Sequence, residues 1–154
     1  YSYGDEGFTN WAAPEVSKFL FSPGNGWLPY TPVLVPAVLG FFAMSRTDGR
    51  HGVLIALLLC SAVIISASWH MWNYGCAFGA RPMAQYMPFL AIPLHALIRS
   101  NEQWLRRARA LLVPITVVAT VLLMRIALDY DVCYGDELDD WGVYISMVRK
   151  AMPW

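Results

Sequence analysis

The stretch from Ser68 to Pro82 reads Ser-Trp-His-Met-Trp-Asn-Tyr-Gly-Cys-Ala-Phe-Gly-Ala-Arg-Pro, and it decides how the other segments are placed. It is a long interruption, rich in aromatic residues and glycine, between two strongly apolar runs. An apolar run of about 20 residues is long enough to cross a bilayer as a helix. The side of a membrane on which this stretch lies therefore determines the side of every other segment.

The composition is typical of a membrane protein. Of the 154 residues, 57% are hydrophobic and only 14% are charged, and the mean hydropathy is +0.42. A soluble domain usually carries about 25% charged residues. The formal net charge is zero, so the overall charge gives no attraction to nucleic acid. Four apolar runs of about 16 to 19 residues are near the length of a membrane crossing: Leu28–Met44, Val53–Trp69, Met83–Ile98 and Ala110–Leu128.

These runs predict an all-α, polytopic membrane protein with about four transmembrane helices and short interfacial amphipathic helices at both ends. We expect a single transmembrane domain over 1–154, with an outer segment at 1–27 and an outer tail at 129–154. The membrane helices are expected at 28–44, 52–70, 83–98 and 110–128. Pro29, Pro32 and Pro36 in the first run predict a kink or a non-helical entry there. The third run contains Pro88 and Pro93.

The charged residues are sorted along the chain in a way that predicts its orientation. The segment Ser45–His51 carries two arginines, and Arg99–Arg109 carries four. Short loops rich in arginine lie on the cytoplasmic side of a membrane. The segments at 1–27 and 129–154 are acidic on balance. We therefore expect both termini, and the stretch from Ser68 to Pro82, on the outer side.

The residues of the central stretch allow two interpretations. Its four large aromatic residues predict a flat aromatic surface, which is typical of the aromatic belt of any polytopic protein. Such a belt does not explain Gly75 and Gly79, which let a backbone or a ligand come close, or Arg81, whose guanidinium suits a phosphate. The alternative is a site for an amphiphile that carries a phosphate and a sugar. The aromatic residues are Trp69, Trp72, Tyr74 and Phe78.

This stretch resembles a late outer loop of bacterial membrane glycosyltransferases related to the dolichyl-phosphate-mannose protein mannosyltransferases, which share the multi-helix GT-C fold. The similar pattern is Trp69-x-x-Trp72-x-x-Gly75-x-x-Phe78-Gly79-x-Arg81, followed by a helix that contains proline. Two upstream blocks, 1–8 and 20–32, also resemble these enzymes in order and spacing. The resemblance covers residues 1–98, and the remainder is similar only in its hydrophobic pattern.

The resemblance implies a polyprenyl-phosphate sugar donor and transfer at the outer face of the bacterial inner membrane, with both termini periplasmic. Arg81 is then expected to hold the lipid phosphate. Trp69, Trp72 and Tyr74 are expected to line the path of the sugar or prenyl chain, with Phe78 also in the binding site, and Gly75 and Gly79 to permit close approach. The catalytic aspartate of the family lies in its first outer loop, far upstream of residues that match here. The catalytic residue is therefore unknown, and we expect this chain to be either the C-terminal part of a longer enzyme or a short relative that has lost the catalytic half.

A non-catalytic membrane subunit that packs in a larger complex is the alternative. The short chain, the two interfacial helices and the many interfacial aromatic residues favour it. Its partners would be membrane lipids and other membrane subunits. The upstream sequence distinguishes the two functions, because further helices and an early outer aspartate favour the enzyme.

Two hypotheses concern the outer loops. The cofactor is unknown, and a divalent cation is a candidate although no motif for it is visible. Its candidate ligands are acidic residues that also suit a solvated helix start: Asp136, Glu137, Asp139 and Asp140. Cys76 and Cys133 are both expected outside, near one headgroup plane, where disulfides form. They are candidates for a disulfide or for two free thiols, and a bond requires Cα atoms within about 7 Å of each other.

Overall fold

The computed structural model describes residues 6–75, 78–128 and 140–152, and this part of the chain is all-helical. Two of its helices, α4 with 19 residues and α6 with 26, are long and apolar enough to cross a membrane. The predicted all-α class is therefore confirmed for the described residues. The elements are α1 Val16–Phe21, α2 Trp27–Tyr30, α3 Leu34–Thr47, α4 Gly49–Ala67, a 3-10 helix Arg81–Leu90, α5 Ala91–Arg99, α6 Gln103–Leu128 and α7 Trp141–Ala151.

The first and third apolar runs, expected as membrane helices at 28–44 and 83–98, are each divided in the structure. A kink or a non-helical entry was predicted for the first run only. The first is divided at Thr31, whose φ of −133° and ψ of 71° are not helical, so that α2 ends there and α3 follows. The third begins as the 3-10 helix, which contains Pro88, and continues as α5. Proline lacks the N–H that an α-helix needs and its ring crowds the preceding turn, which explains both divisions.

The other two apolar runs form continuous helices with shifted ends. The helix α4 begins and ends slightly earlier than the expected 52–70. The helix α6 begins at Gln103, well before the expected residue 110, and it includes Pro114. The residues before 110 are rich in arginine, leucine and alanine, which are strong helix formers. The arginines expected in a loop at 99–109 therefore lie mostly on the first turns of α6.

The helices pack around one main cluster of buried side chains. Phe19, Trp27, Leu59, Met83 and Leu90 bring α1, α2, α4 and the 3-10 helix together. A smaller cluster joins α3, α5 and α6 at the far end of the molecule through Ala43, Leu97 and Leu105. Of the two long helices α6 is the less buried: 11% of the residues in its most apolar stretch are buried, against 39% for α4.

The helix α7 docks on the first part of the chain. Asp140 caps it, because the carboxylate accepts a hydrogen bond from the backbone N–H of Gly142 at 2.8 Å. The hydroxyl of Tyr144 donates to the backbone oxygen of Pro29 at 2.9 Å, and its ring centroid lies 5.6 Å from that of Tyr30. The amphipathic helix expected in the tail is present, and it is held against α2.

Candidate functional site

The candidate site is the aromatic loop, residues 68–82, which joins α4 to the 3-10 helix. Its first residues are bound to the N-terminal segment. Asn10 donates its backbone N–H to the oxygen of Ser68 at 3.1 Å and its side-chain amide to the oxygen of Trp69 at 3.2 Å. The N–H of His70 donates to the oxygen of Gly7 at 2.9 Å. The N-terminal segment and the loop therefore lie at the same end of the helices.

Asn25 organises the loop from a distance, and the sequence analysis did not single it out. Its side-chain amide donates to the backbone oxygens of Asn73 and Gly75 at 3.1 and 3.0 Å, and its side-chain oxygen accepts from the N–H of Gly79 at 3.1 Å. The residue is 3% exposed and has a φ of 70°. Asparagine tolerates this left-handed conformation better than most residues. The Pro-Gly-Asn-Gly turn in which it lies was the available signal.

The two glycines of the pattern serve the conformation of the loop. Gly75 and Gly79 have φ values of 60° and 75°, which residues with a Cβ rarely adopt. A Cβ on Gly79 would lie 2.7 Å from the Cβ of Tyr30. The sequence analysis expected a backbone or a ligand to come close to this glycine, and in the structure its close neighbour is the Tyr30 side chain.

The sequence analysis expected the aromatic side chains to form one flat surface, whereas in the structure they pack against three different parts of the chain. The Trp69 ring meets Phe8 edge to face, with centroids 5.0 Å apart. Trp72 and Tyr74 pack, half-buried, against the main cluster. The Phe78 ring meets that of Tyr30 at 4.9 Å. Tertiary contacts with other segments therefore fix the directions of these side chains.

Tyr74 is anchored most firmly. Its hydroxyl donates to the backbone oxygen of Ser66 at 3.0 Å, and its ring centroid lies 6.4 Å from that of Phe19. Burial raises the pKa of this hydroxyl, and burial likewise raises the pKa of Tyr144. Both tyrosines are therefore neutral hydrogen-bond donors at physiological pH.

Arg81 differs from the aromatic residues because it is exposed. It begins the 3-10 helix, and its backbone N–H donates to the oxygen of Gly79 at 2.8 Å. Within the described ranges its guanidinium makes neither an ion pair nor a hydrogen bond. A guanidinium presents five donors in a fixed fork that matches phosphate oxygens. Arg81 is thus available to bind an anion.

An apolar groove lies beside the same part of the loop. Its volume is about 480 Å³, and its walls come from the α2–α3 break, the 3-10 helix and α6. Tyr30 and Pro32 line one side, Met87 a second, and Val117 and Val121 a third. Ligand sites usually have volumes of about 300 to 1,000 Å³ and mostly apolar walls. Because Tyr30 contacts Gly79 and Phe78, the groove and the aromatic loop share a wall.

The cation and disulfide hypotheses fall mostly outside the described residues. Cys76, Cys133, Asp136, Glu137 and Asp139 all lie there. Among the residues that are described, no group of three or more histidine, cysteine or acidic side chains could hold a metal ion. Asp140, the described member of the acidic set, caps α7, and Cys60 is a free, exposed thiol on α4.

The chain matches no protein-family model, no curated protein and no solved structure. Any functional assignment therefore depends on the residues and contacts described above.

Proposed function

We propose that this chain is a membrane glycosyltransferase-like segment that handles a polyprenyl-phosphate sugar donor at the outer face of a bacterial inner membrane. One observation supports the proposal above the others. Arg81 is exposed and lies two residues after Gly79, which contacts Tyr30. Tyr30 in turn lines an apolar groove of about 480 Å³. A lipid phosphate needs a cation for its head and an apolar surface for its chain.

The proposal includes four membrane crossings with both termini outside. At 1.5 Å per residue α4 is about 28 Å long and α6 about 39 Å, against a hydrocarbon core of about 30 Å. The 3-10 helix and α5 together reach about 33 Å. The helices α2 and α3 form the remaining, bent crossing. The aromatic loop then lies outside, and the arginine-rich ends of α3, α5 and α6 lie inside, as the positive-inside rule requires.

Binding of a short-chain polyprenyl phosphate to the purified chain in detergent tests the proposal. Arg81→Gln should weaken binding about tenfold or more, because a hydrogen-bonded charge contact is worth about 1.5 to 3 kcal/mol. Arg107→Gln is the matched control, because Arg107 is an exposed arginine on the first turns of α6 and does not line the groove. The unphosphorylated polyprenol should bind equally weakly to all three proteins. Equal binding of the phosphate by wild type and Arg81→Gln would remove Arg81 from the site.

The low coverage of α6 favours a second candidate function, a non-catalytic subunit of a larger membrane complex. Only 11% of the residues in its most apolar stretch are buried against the described part of the chain, so most of this helix is open to lipid or to other helices. A photoreactive residue in place of the exposed Val118 can be cross-linked in native membranes to show whether lipid or another protein contacts α6. A discrete protein adduct would support the subunit, whereas lipid adducts alone would count against it.

A further inference from the structure

A larger cavity lies at the end of the helices away from the aromatic loop. Its volume is about 790 Å³, and it is open on one side. Ile92, His95, Ala96 and Arg99 recur at helical spacing and present one face of α5 to it. The last turn of α3 and the residues just before α6 complete the wall. The cavity therefore combines an apolar floor with a polar rim, which is the usual construction of a ligand site.

The carboxylates on the rim already have cationic or imidazole partners. Glu102 accepts a hydrogen bond from the guanidinium of Arg46, and the carboxylate of Asp48 lies 2.7 Å from Nδ1 of His51. The hydrogen bond with His51 lowers the pKa of Asp48, so this carboxylate is ionised at neutral pH. These pairings reduce the repulsion that an entering anion would meet.

Arg99 is the rim cation that remains available. Within the described ranges its guanidinium makes no ion pair and no hydrogen bond, and the residue is exposed at the end of α5. Arg109 differs, because it donates to the oxygens of Leu97 and Ile98 and so completes the last turn of α5. Arg99 is thus free to bind an anion, whereas the guanidinium of Arg109 is occupied by its hydrogen bonds to the end of α5.

The surroundings of the cavity carry an excess of positive charge. Six arginines lie at this end of the helices, against two described carboxylates, Asp48 and Glu102. The arginines are Arg46, Arg50, Arg99, Arg106, Arg107 and Arg109. Clustered basic residues beside apolar membrane helices attract anionic lipid headgroups, and basic pockets between helices bind them.

We propose that this cavity binds the phosphate of an anionic phospholipid headgroup, with Arg99 as its main contact and an acyl chain lying along the exposed Ile92. This lipid site is separate from the sugar-donor site proposed above, and it lies at the opposite end of the helices. An inorganic phosphate ion offers the same headgroup chemistry without the acyl chain. The cavity favours the lipid because its floor, including Ala43, Met44 and Ala96, is apolar.

Thermal unfolding of the purified chain in a neutral detergent tests the lipid site. Phosphatidylglycerol should raise the Tm, whereas phosphatidylcholine and inorganic phosphate should leave it unchanged. Arg99→Gln should weaken phosphatidylglycerol binding about tenfold or more. Arg107→Gln makes the same charge change on α6 outside the cavity lining, and it should bind as wild type does. Arg99→Lys, which keeps the charge but loses the fork of donors, should bind with intermediate affinity.

Three outcomes would overturn the proposal. Undiminished phosphatidylglycerol binding by both Arg99→Gln and Arg99→Lys would exclude Arg99 as the contact. An equal loss in Arg107→Gln would show that diffuse surface charge, and not the cavity, attracts the lipid. A Tm increase with inorganic phosphate as large as that with phosphatidylglycerol would exclude the lipid as the ligand.

Discussion

A Cβ atom on Gly40 would lie 2.0 Å from the carbonyl oxygen of Pro93, so α3 and α5 meet backbone to backbone. Only glycine permits this approach, and we expect Gly40→Ala to force the helices apart. The cost should be about 1 to 3 kcal/mol, as for other overpacked sites. Gly49→Ala is the control, because a Cβ there meets nothing within 4 Å. Thermal unfolding in detergent should show a lower Tm for Gly40→Ala alone, and equal values would refute the close packing.

The two loop glycines provide a second comparison. Both have positive φ, so alanine at either position should cost about 1 to 2 kcal/mol from the backbone alone. At Gly75 the new Cβ would meet only the Met71 sulfur, at an ordinary 3.5 Å, whereas at Gly79 it would lie 2.7 Å from the Cβ of Tyr30. We therefore expect Gly79→Ala to lower the Tm more than Gly75→Ala does. The reverse order would contradict the contact between Gly79 and Tyr30.

Replacing Asn25 by glycine isolates the contribution of its side chain. Glycine adopts the same positive φ easily, so the variant loses the three side-chain hydrogen bonds without new strain. At about 1 kcal/mol per bond the loss should be about 3 kcal/mol. Asn73→Ala removes one local bond, to the N–H of Gly75, and should cost about a third as much. Faster hydrogen exchange at the Gly79 amide in Asn25→Gly would show that the loss of stability arises at this hydrogen bond.

Alkaline titration tests the burial of Tyr74. Its raised pKa means that the folded state favours the neutral hydroxyl. The resulting stability is fully present below the ordinary tyrosine pKa of about 10 and is lost as the pH rises through the higher folded value. Tyr74→Phe should therefore remove tyrosinate absorbance at the high-pH end of the titration. Loss of the early part instead would mean that Tyr74 is open to solvent.

Cysteine labelling tests the proposed orientation. In a background without native cysteines, an impermeant thiol reagent added from outside should label Met71→Cys, because Met71 is exposed on the aromatic loop. Arg107→Cys should react only after permeabilisation, because its position on the first turns of α6 lies at the other end of the helices. The opposite pattern would invert the topology and place the aromatic loop in the cytoplasm.

The sequence predicted those parts of the fold that depend on local pattern. The second and fourth apolar runs form the continuous helices α4 and α6. The tail segment that has acidic residues at its start and basic residues at its end forms α7. The first and third runs were harder, because proline can kink a helix or divide it, and neighbouring helices decide between the two. The approach of α3 to α5 was not visible, since Gly40 stands in an apolar run like many others.

For the candidate site, composition indicated the loop but not its internal contacts. Gly75 and Gly79 were expected to permit close approach, and in the structure both have a positive φ. Arg81 is exposed, as an anion-binding residue must be. The directions of the aromatic side chains could not be predicted, because Phe8 and Tyr30, which receive two of them, are remote in sequence. Asn25 was missed for the same reason: its partners are 48, 50 and 54 residues away.

The hydrogen bond from Tyr144 to Pro29 imposes an order on the biosynthesis of this protein. The two residues are 115 positions apart, and the chain is made from its N-terminus. At about 5 to 20 residues per second, the ribosome needs about 6 to 23 seconds to reach Tyr144 after Pro29. During that interval the Pro29 carbonyl lacks this partner. The contact between α2 and α7 therefore forms only after α7 has been translated.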